Sequence, residues 1–144
     1  MSYDSNEALK LDSQLCFPLY AASRKIIGAY TPLLKPLGIT YTQYIVFMVL
    51  WEQDGITVGE LGAKLRLDSG TLTPVLKKME SKGYVERKRS HDDERIVNIY
   101  LTEKGTEKKE EARDIPLKMG ECFSLEEKEV EELKIILYKI LNRE

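Results

Sequence analysis

Val58-Gly59-Glu60-Leu61-Gly62-Ala63-Lys64-Leu65-Arg66-Leu67-Asp68-Ser69-Gly70-Thr71-Leu72-Thr73-Pro74-Val75-Leu76-Lys77-Lys78-Met79-Glu80 is the stretch whose reading decides the fold. In its first part Val58, Leu61, Gly62 and Leu65 recur at i, i+3, i+4 and i+7, so they line one face of a short helix. In its second part Leu72, Val75, Leu76 and Met79 form an apolar stripe, which leaves Gly70, Thr73, Pro74, Lys77 and Ser81 facing outward. Asp68 or Ser69 caps this second helix, and Pro74 is expected only near its first turns, so the starting residue stays open between them. Two helices joined by a turn as short as Arg66-Leu67-Asp68 cross steeply. That is the helix-turn-helix geometry, which presents the start of the second helix to the major groove of DNA.

Working outward, Gly83 closes the second helix, and Tyr84-Val85-Glu86-Arg87-Lys88-Arg89 reads as a strand. Its partner strand is Ile96-Val97-Asn98-Ile99-Tyr100-Leu101, and between them Ser90-His91-Asp92-Asp93-Glu94-Arg95 makes a short charged tip. Taken alone this is a charged, solvated hairpin. Directly after a helix-turn-helix it reads as a DNA-binding wing, with Arg95 entering a minor groove and Asp93 pre-aiming the guanidinium in a bidentate fork.

A net charge of −2 argues against nucleic acid until it is divided along the chain. Residues 1–63 carry 4 basic and 6 acidic side chains, residues 64–102 carry 9 and 6, and residues 103–144 carry 9 and 12. Within 64–91 the balance is 8 to 3, so positive charge gathers where DNA contacts belong. A hydrophobic share of 42% supports a real core. No run of residues approaches the roughly 18 apolar residues of a membrane span, and the N-terminus lacks a basic-then-apolar leader. A soluble, cytoplasmic protein with no membrane partner is expected.

The flanks read as helices. Leu15, Leu19, Ala22, Ile26 and Leu33 lie along one side of a helix over 15–34 that Pro32 and Pro36 bring to an end. Tyr41–Glu52 is a second helix, apolar nearly all round. A charged helix starts at Thr102-Glu103-Lys104-Gly105 and is interrupted by Pro116. Ser124-Leu125-Glu126-Glu127 reads as a capping box opening a last helix striped by Val130, Leu133, Ile136, Leu137, Ile140 and Leu141. Stripes this rich exceed what a small winged-helix domain can cover. Residues 1–40 and 103–144 are therefore assigned to a helical dimerisation region and residues 41–102 to the winged helix-turn-helix. Pairing would space two recognition helices about 34–36 Å apart on a pseudo-palindromic double-stranded operator. A monomeric helical core is the plain alternative.

Helix, helix, helix-turn-helix, a wing bearing Asp93-Glu94-Arg95 and Leu101-Thr102, then two further helices: this order resembles the MarR family of dimeric winged-helix repressors. Leu15-Cys16-Phe17, Leu19-Tyr20, Tyr30, Ile39-Thr40-Tyr41, Asp68-Ser69-Gly70-Thr71-Leu72-Thr73-Pro74 and Arg87-Lys88-Arg89-Ser90 resemble the organic hydroperoxide resistance regulators (OhrR) within it. The resemblance runs across nearly the whole chain. It implies a mainly α winged-helix fold and a homodimeric repressor that releases its operator when an N-terminal cysteine is oxidised by an organic hydroperoxide.

Two cysteines are too few for a disulfide scaffold, and a single His91 in the wing argues against a zinc site, so no metal or cofactor is expected. Redox sensing or plain burial remain for Cys16, which sits near a helix start where unpaired N–H groups favour thiolate, the form a peroxide oxidises. The resemblance weighs for sensing. Pro18, two residues on, departs from the pattern and leaves the helix start open. Tyr30 lies 14 residues beyond Cys16, about 21 Å along one helix, and cannot touch it. If Tyr30 and Tyr41 donate to the thiolate, as the resemblance implies, they belong to the other subunit; ordinary amphipathic packing is the alternative. Cys122 stands where some members of the group carry a second cysteine, which implies an intersubunit disulfide with Cys16.

For DNA, Ser69, Thr71 and Thr73 are assigned to phosphates and base edges, Pro74 to a thymine methyl, and Lys77, Lys78 and Arg89 to phosphates. Two other classes are weighed: a MarR-type repressor induced by a small aromatic ligand, and a thiol peroxidase using Cys16 and Cys122. The chain shows no general base for the latter, and an enzyme is not expected.

Overall fold

Apolar periodicity and capping build the elements in turn; the computed structural model describes residues 3–143. A short helix α1 (Ser5–Ala8), capped by Asp4, precedes α2 (Cys16–Leu34). Pro18 falls in the first turn of α2, where no intrahelical N–H is needed, so the helix starts at Cys16. Pro32 does not end it. The ring removes one bond, Lys35 N–H still reaches Thr31 O, and a 3₁₀ turn Lys35–Leu37 follows, closed by Gly38.

Helix α3 (Tyr41–Glu52) opens with a capping box in which Gln43 N–H donates to Thr40 Oγ1 (3.2 Å) and Thr40 N–H to Gln43 Oε1 (3.1 Å). Its apolar surround is used on several sides: Tyr44, Val46, Phe47 and Leu50 are all buried. Helix α4 (Val58–Leu65) has a second box, Thr57 with Glu60. Helix α5 (Ser69–Ser81) is capped by Asp68, whose Oδ1 accepts from Thr71 N–H at 2.7 Å.

The turn between α4 and α5 is tight. Arg66 takes a left-handed conformation (φ 55°), and a Cβ on Gly62 would lie 2.6 Å from the Leu67 carbonyl oxygen, so the two helices meet only because Gly62 has no side chain. Leu61, Leu72, Leu76 and Met79 fill the space between them. Pro74 is the sixth residue of α5, in its second turn, and the start left open between Asp68 and Ser69 resolves with Asp68 as cap and Ser69 as first residue. The carbonyl its missing N–H leaves unpaired belongs to Gly70 on the exposed side, where water can satisfy it.

Strands β1 (Val85–Arg89) and β2 (Val97–Leu101) pair antiparallel, with Val85 opposite Leu101 and Arg89 opposite Val97. The loop before α4 joins their edge: Gly55 N–H donates to Ile99 O, Ile99 N–H to Ile56 O, and Thr57 bridges Asn98. Thr102 then caps α6 (Glu103–Glu111). That helix ends before Pro116, which instead stands second in α7 (Ile115–Cys122), a position where proline gives up no helical bond. Helix α8 (Glu127–Leu141) starts later than the sequence suggested. Glu126 is its N-cap, its own N–H held by Glu129 Oε2 at 2.8 Å, and Ser124 lies outside the helix.

The chain divides into two units, one ending at Asp114 and the other beginning at Ile115. The first holds α1–α6, both strands and a core of Leu34, Phe47, Leu50, Leu61, Leu72, Leu76, Met79 and Ile99. In the second, Val130, Leu133, Ile135, Ile136, Tyr138, Ile140 and Leu141 of α8 are 39–68% exposed. Among the described residues no single helix is long and apolar enough to cross a membrane.

Candidate DNA interface and thiol site

The cap on α5 fixes what its first turn presents. Asp68 accepts the Thr71 amide, and these hydrogen bonds hold its carboxyl below the ordinary value of 3.8. Ser69, Gly70 and Thr71 are exposed at the helix start, Pro74, Lys77 and Lys78 are exposed further along, and Thr73 is half-buried. Between this face and the wing lies a recess of about 460 Å³ lined by Ser69, Thr73, Leu76, Arg87, Arg95 and Ile96, among others.

In the wing, Arg95 Nε donates to Asp93 Oδ1 (3.1 Å), Nη2 donates to Oδ2 (3.3 Å), and the Arg95 backbone N–H returns to Oδ1 (3.0 Å). These bonds keep the Asp93 carboxyl below its usual range. The Arg95 side chain is nevertheless 91% exposed, a charge held in a fixed orientation at the surface. Arg89, assigned to phosphates from the sequence, has a second task. Its Nη1 donates to Glu94 O at 2.9 Å and ties the tip to the end of β1.

Sequence reasoning missed the clamp between α5 and the wing. Glu80 Oε1 accepts from Arg87 Nε (3.2 Å) and Nη2 (3.0 Å), and Oε2 accepts the Arg87 backbone N–H (3.0 Å). The Arg87 side chain first and its backbone amide next hold the Glu80 carboxyl below 4.5. Opposite charges seven residues apart across a helix end carried no periodic signal.

Cys16 is the first residue of α2 and Cys122 the last of α7; both are exposed free thiols. Tyr30 and Tyr41 come together near the far end of α2, their ring centroids 4.8 Å apart. Tyr44 joins them, 5.7 Å from Tyr30 and 6.5 Å from Tyr41, although the sequence reading passed over it. Its spacing of three from Tyr41 was the available clue. Burial pushes the Tyr30 phenol above 10.0, with Tyr41 adding to the effect, and burial raises Tyr41 as well. For Tyr44 burial acts first, then its two neighbours. All three are neutral O–H donors at physiological pH.

A helix-turn-helix followed by a two-stranded wing with an exposed arginine at its tip defines a winged-helix DNA-binding protein. The family described as "Transcriptional regulator SarA/Rot" matches residues 29–112. The organic hydroperoxide resistance transcriptional regulator of Bacillus subtilis (strain 168) is 49% identical over 133 residues, covering 92% of this chain and 90% of that protein. Among solved structures, reduced AbfR bound to DNA superposes with a TM-score of 0.82 at 36% identity, covering 96% of this chain and 95% of the other. The disulfide-formed state of AbfR, a Staphylococcus epidermidis protein, gives 0.66 at 38% identity, covering 94% and 96%. The chain belongs to the MarR/SarA family of winged-helix transcriptional regulators, which are not enzymes.

Proposed function

We propose that the protein is a cytoplasmic, homodimeric repressor that binds a pseudo-palindromic operator and releases it when organic hydroperoxides oxidise Cys16. The observation that carries this reading is the pair of neutral phenols held together at 4.8 Å, Tyr30 near the end of the helix that begins with an exposed Cys16 and Tyr41 at the start of α3. Fourteen residues of continuous helix separate Cys16 from Tyr30, so the donors that hold a thiolate come from the second subunit. The exposed apolar residues of α8, with Leu15, Phe17, Tyr20, Ile26 and Ile27, supply the surface for that pairing. Residues 1–40 and 103–144 form the pairing region in this reading, and 41–102 read DNA.

The Cys16 thiolate attacks the outer oxygen of the peroxide. The O–O bond breaks, the alcohol leaves with a proton, and a sulfenic acid remains. The partner's Cys122 thiol then attacks that sulfur, water departs and a disulfide forms, so one peroxide is reduced as two thiols are oxidised. The phenols lose their anionic partner, and the dimer geometry that matched the operator is lost. Similarity to a regulator named for organic hydroperoxide resistance, and to a protein solved in reduced, DNA-bound and disulfide states, supports this sequence of events.

On DNA, Ser69, Thr71 and Thr73 meet phosphates and base edges, Pro74 a thymine methyl, Lys77, Lys78 and Arg89 phosphates, and Arg95 the minor groove. The test compares operator binding by the wild type and Cys16→Ser, each before and after cumene hydroperoxide. Release by the wild type alone is expected, and release by both sinks the reading. Non-reducing electrophoresis checks Cys122, since a protein that runs wholly as a monomer after treatment has no intersubunit bond.

A second reading is favoured by a recess of about 540 Å³ beside Tyr41, lined by Ile27, Thr31, Leu34 and Lys35, which is large enough for a small aromatic inducer. A Cys16→Ser protein that still responds to such a compound selects it.

A further inference from the structure

Tyr44 is the deep member of the tyrosine cluster: it is 3% exposed, whereas Tyr30 and Tyr41 are half-buried. Its ring lies 5.7 Å from Tyr30 and 6.5 Å from Tyr41, and it also meets Trp51 in an edge-to-face arrangement at 6.4 Å and 70°. Trp51 is itself fixed from two further directions. It stacks on Phe47 at 5.2 Å and 16°, and its indole N–H donates to Gly105 O in the first turn of α6 at 3.1 Å. Phe47 in turn meets Tyr84 at 5.4 Å, and Tyr84 stands between Gly83, which follows the recognition helix, and Val85, which begins the wing. Aromatic contact is therefore unbroken from the two phenols to the root of the wing.

We propose that Tyr44 is a positioning residue of the thiol switch: its ring braces Tyr30 and Tyr41 as a pair against Trp51, so that displacement of the phenols is felt at Trp51. The inference rests on the reading of Tyr30 and Tyr41 as donors to the partner's thiolate. Those two side chains come from different helices, Tyr30 near the end of α2 and Tyr41 at the start of α3, with a 3₁₀ turn between. Two donors converge on one sulfur only if their spacing is held, and a rigid ring wedged against both holds it at little cost in side-chain freedom. The ring, rather than the hydroxyl, is the working part.

The experiment uses the full-length dimer in a Cys122→Ser background, so that Cys16 is the one remaining thiol, and Trp51, the sole tryptophan, reports by its emission. Reaction rates of Cys16 with iodoacetamide and cumene hydroperoxide at pH 7 are compared for the parent, Tyr44→Phe, Tyr44→Leu and Tyr41→Phe. Tyr44→Leu is expected to react about tenfold more slowly, the scale of one weakened charge-assisted hydrogen bond, while Tyr44→Phe stays within about twofold of the parent. Oxidation is expected to shift Trp51 emission in the parent and not in Cys16→Ser. Tyr44→Leu reacting at the parental rate while Tyr41→Phe is slowed overturns the role of Tyr44 and leaves the thiol–phenol reading standing. Should Tyr41→Phe also keep the parental rate, the thiol–phenol reading falls and the proposal with it. If Tyr44→Leu does not fold, the emission decides: a signal that oxidation leaves unchanged in the parent, or shifts equally in Cys16→Ser, overturns the proposal.

Discussion

Arg95 combines a guanidinium held in a fork with high exposure. Two guanidinium bonds and one backbone bond to Asp93 fix its orientation, yet the side chain is 91% exposed. The cost of ordering a long side chain is thus largely met before DNA arrives, which is what lets a single arginine contribute in a narrow groove. Arg95→Ala should weaken operator binding by about 1–3 kcal/mol, roughly 5- to 150-fold, without moving the melting temperature. Fluorescence anisotropy with a labelled operator, beside a thermal melt, checks both. Unchanged affinity removes Arg95 from the interface. The fork was legible in advance because Asp93 and Arg95 lie two residues apart at a hairpin tip. Arg89 was legible only as a charge, since its bond to the Glu94 carbonyl depends on how the tip folds back.

At the scale of elements, the recognition helix and the wing are tied together by the Glu80–Arg87 pair. The Glu80 carboxylate takes three donors from one residue of β1, and the side chains are 38% and 28% exposed, so solvent screens part of the attraction and the pair contributes about 1 kcal/mol or less. The folded Glu80 carboxyl lies below its ordinary value of 4.5. Its contribution is therefore complete above that ordinary value and is lost as pH falls through the lower, folded value. Glu80→Gln should lower the melting temperature by about 3 °C at pH 7, and the difference from wild type should close as the solution is acidified into the range where Glu80 protonates. A difference that stays constant down the acid limb means that the pair does not act through charge. Operator affinity of the variant should also fall, because a looser wing no longer presents Arg95 at one angle.

Considered as a whole molecule, the chain exposes more apolar surface than an isolated domain carries without use. On α8, Ile136 and Ile140 lie four residues apart on one side and are 55% and 49% exposed. The double variant Ile136→Glu, Ile140→Glu should run as a monomer in light scattering and lose operator affinity by about 100-fold, because one half-site no longer brings the second into reach. A dimer that binds as before means that α8 does not form the seam.

Local signals gave away most of the first unit before any coordinates: the bounds of α3 and α4, the start of α5 within one residue, and a hairpin after Gly83 all follow from caps, periodicity and glycine. These features are written over three to seven neighbouring residues, so a single sequence carries them. Ser124 misled for the same reason, and Pro32 and Pro74 sit inside helices. Proline and serine state a local preference, and packing of the rest of the helix outweighs one missing hydrogen bond or one unused cap. What the amino-acid order by itself determined is the winged helix-turn-helix, its concentrated positive charge and the two thiols. Only the tertiary structure decided that Glu80 grips Arg87, that Arg89 ties down the wing tip, and that Tyr30, Tyr41 and Tyr44 meet and rest on Trp51. Those contacts join elements whose approach is set by core packing, and distance along the chain does not reveal which side chains that packing brings within reach.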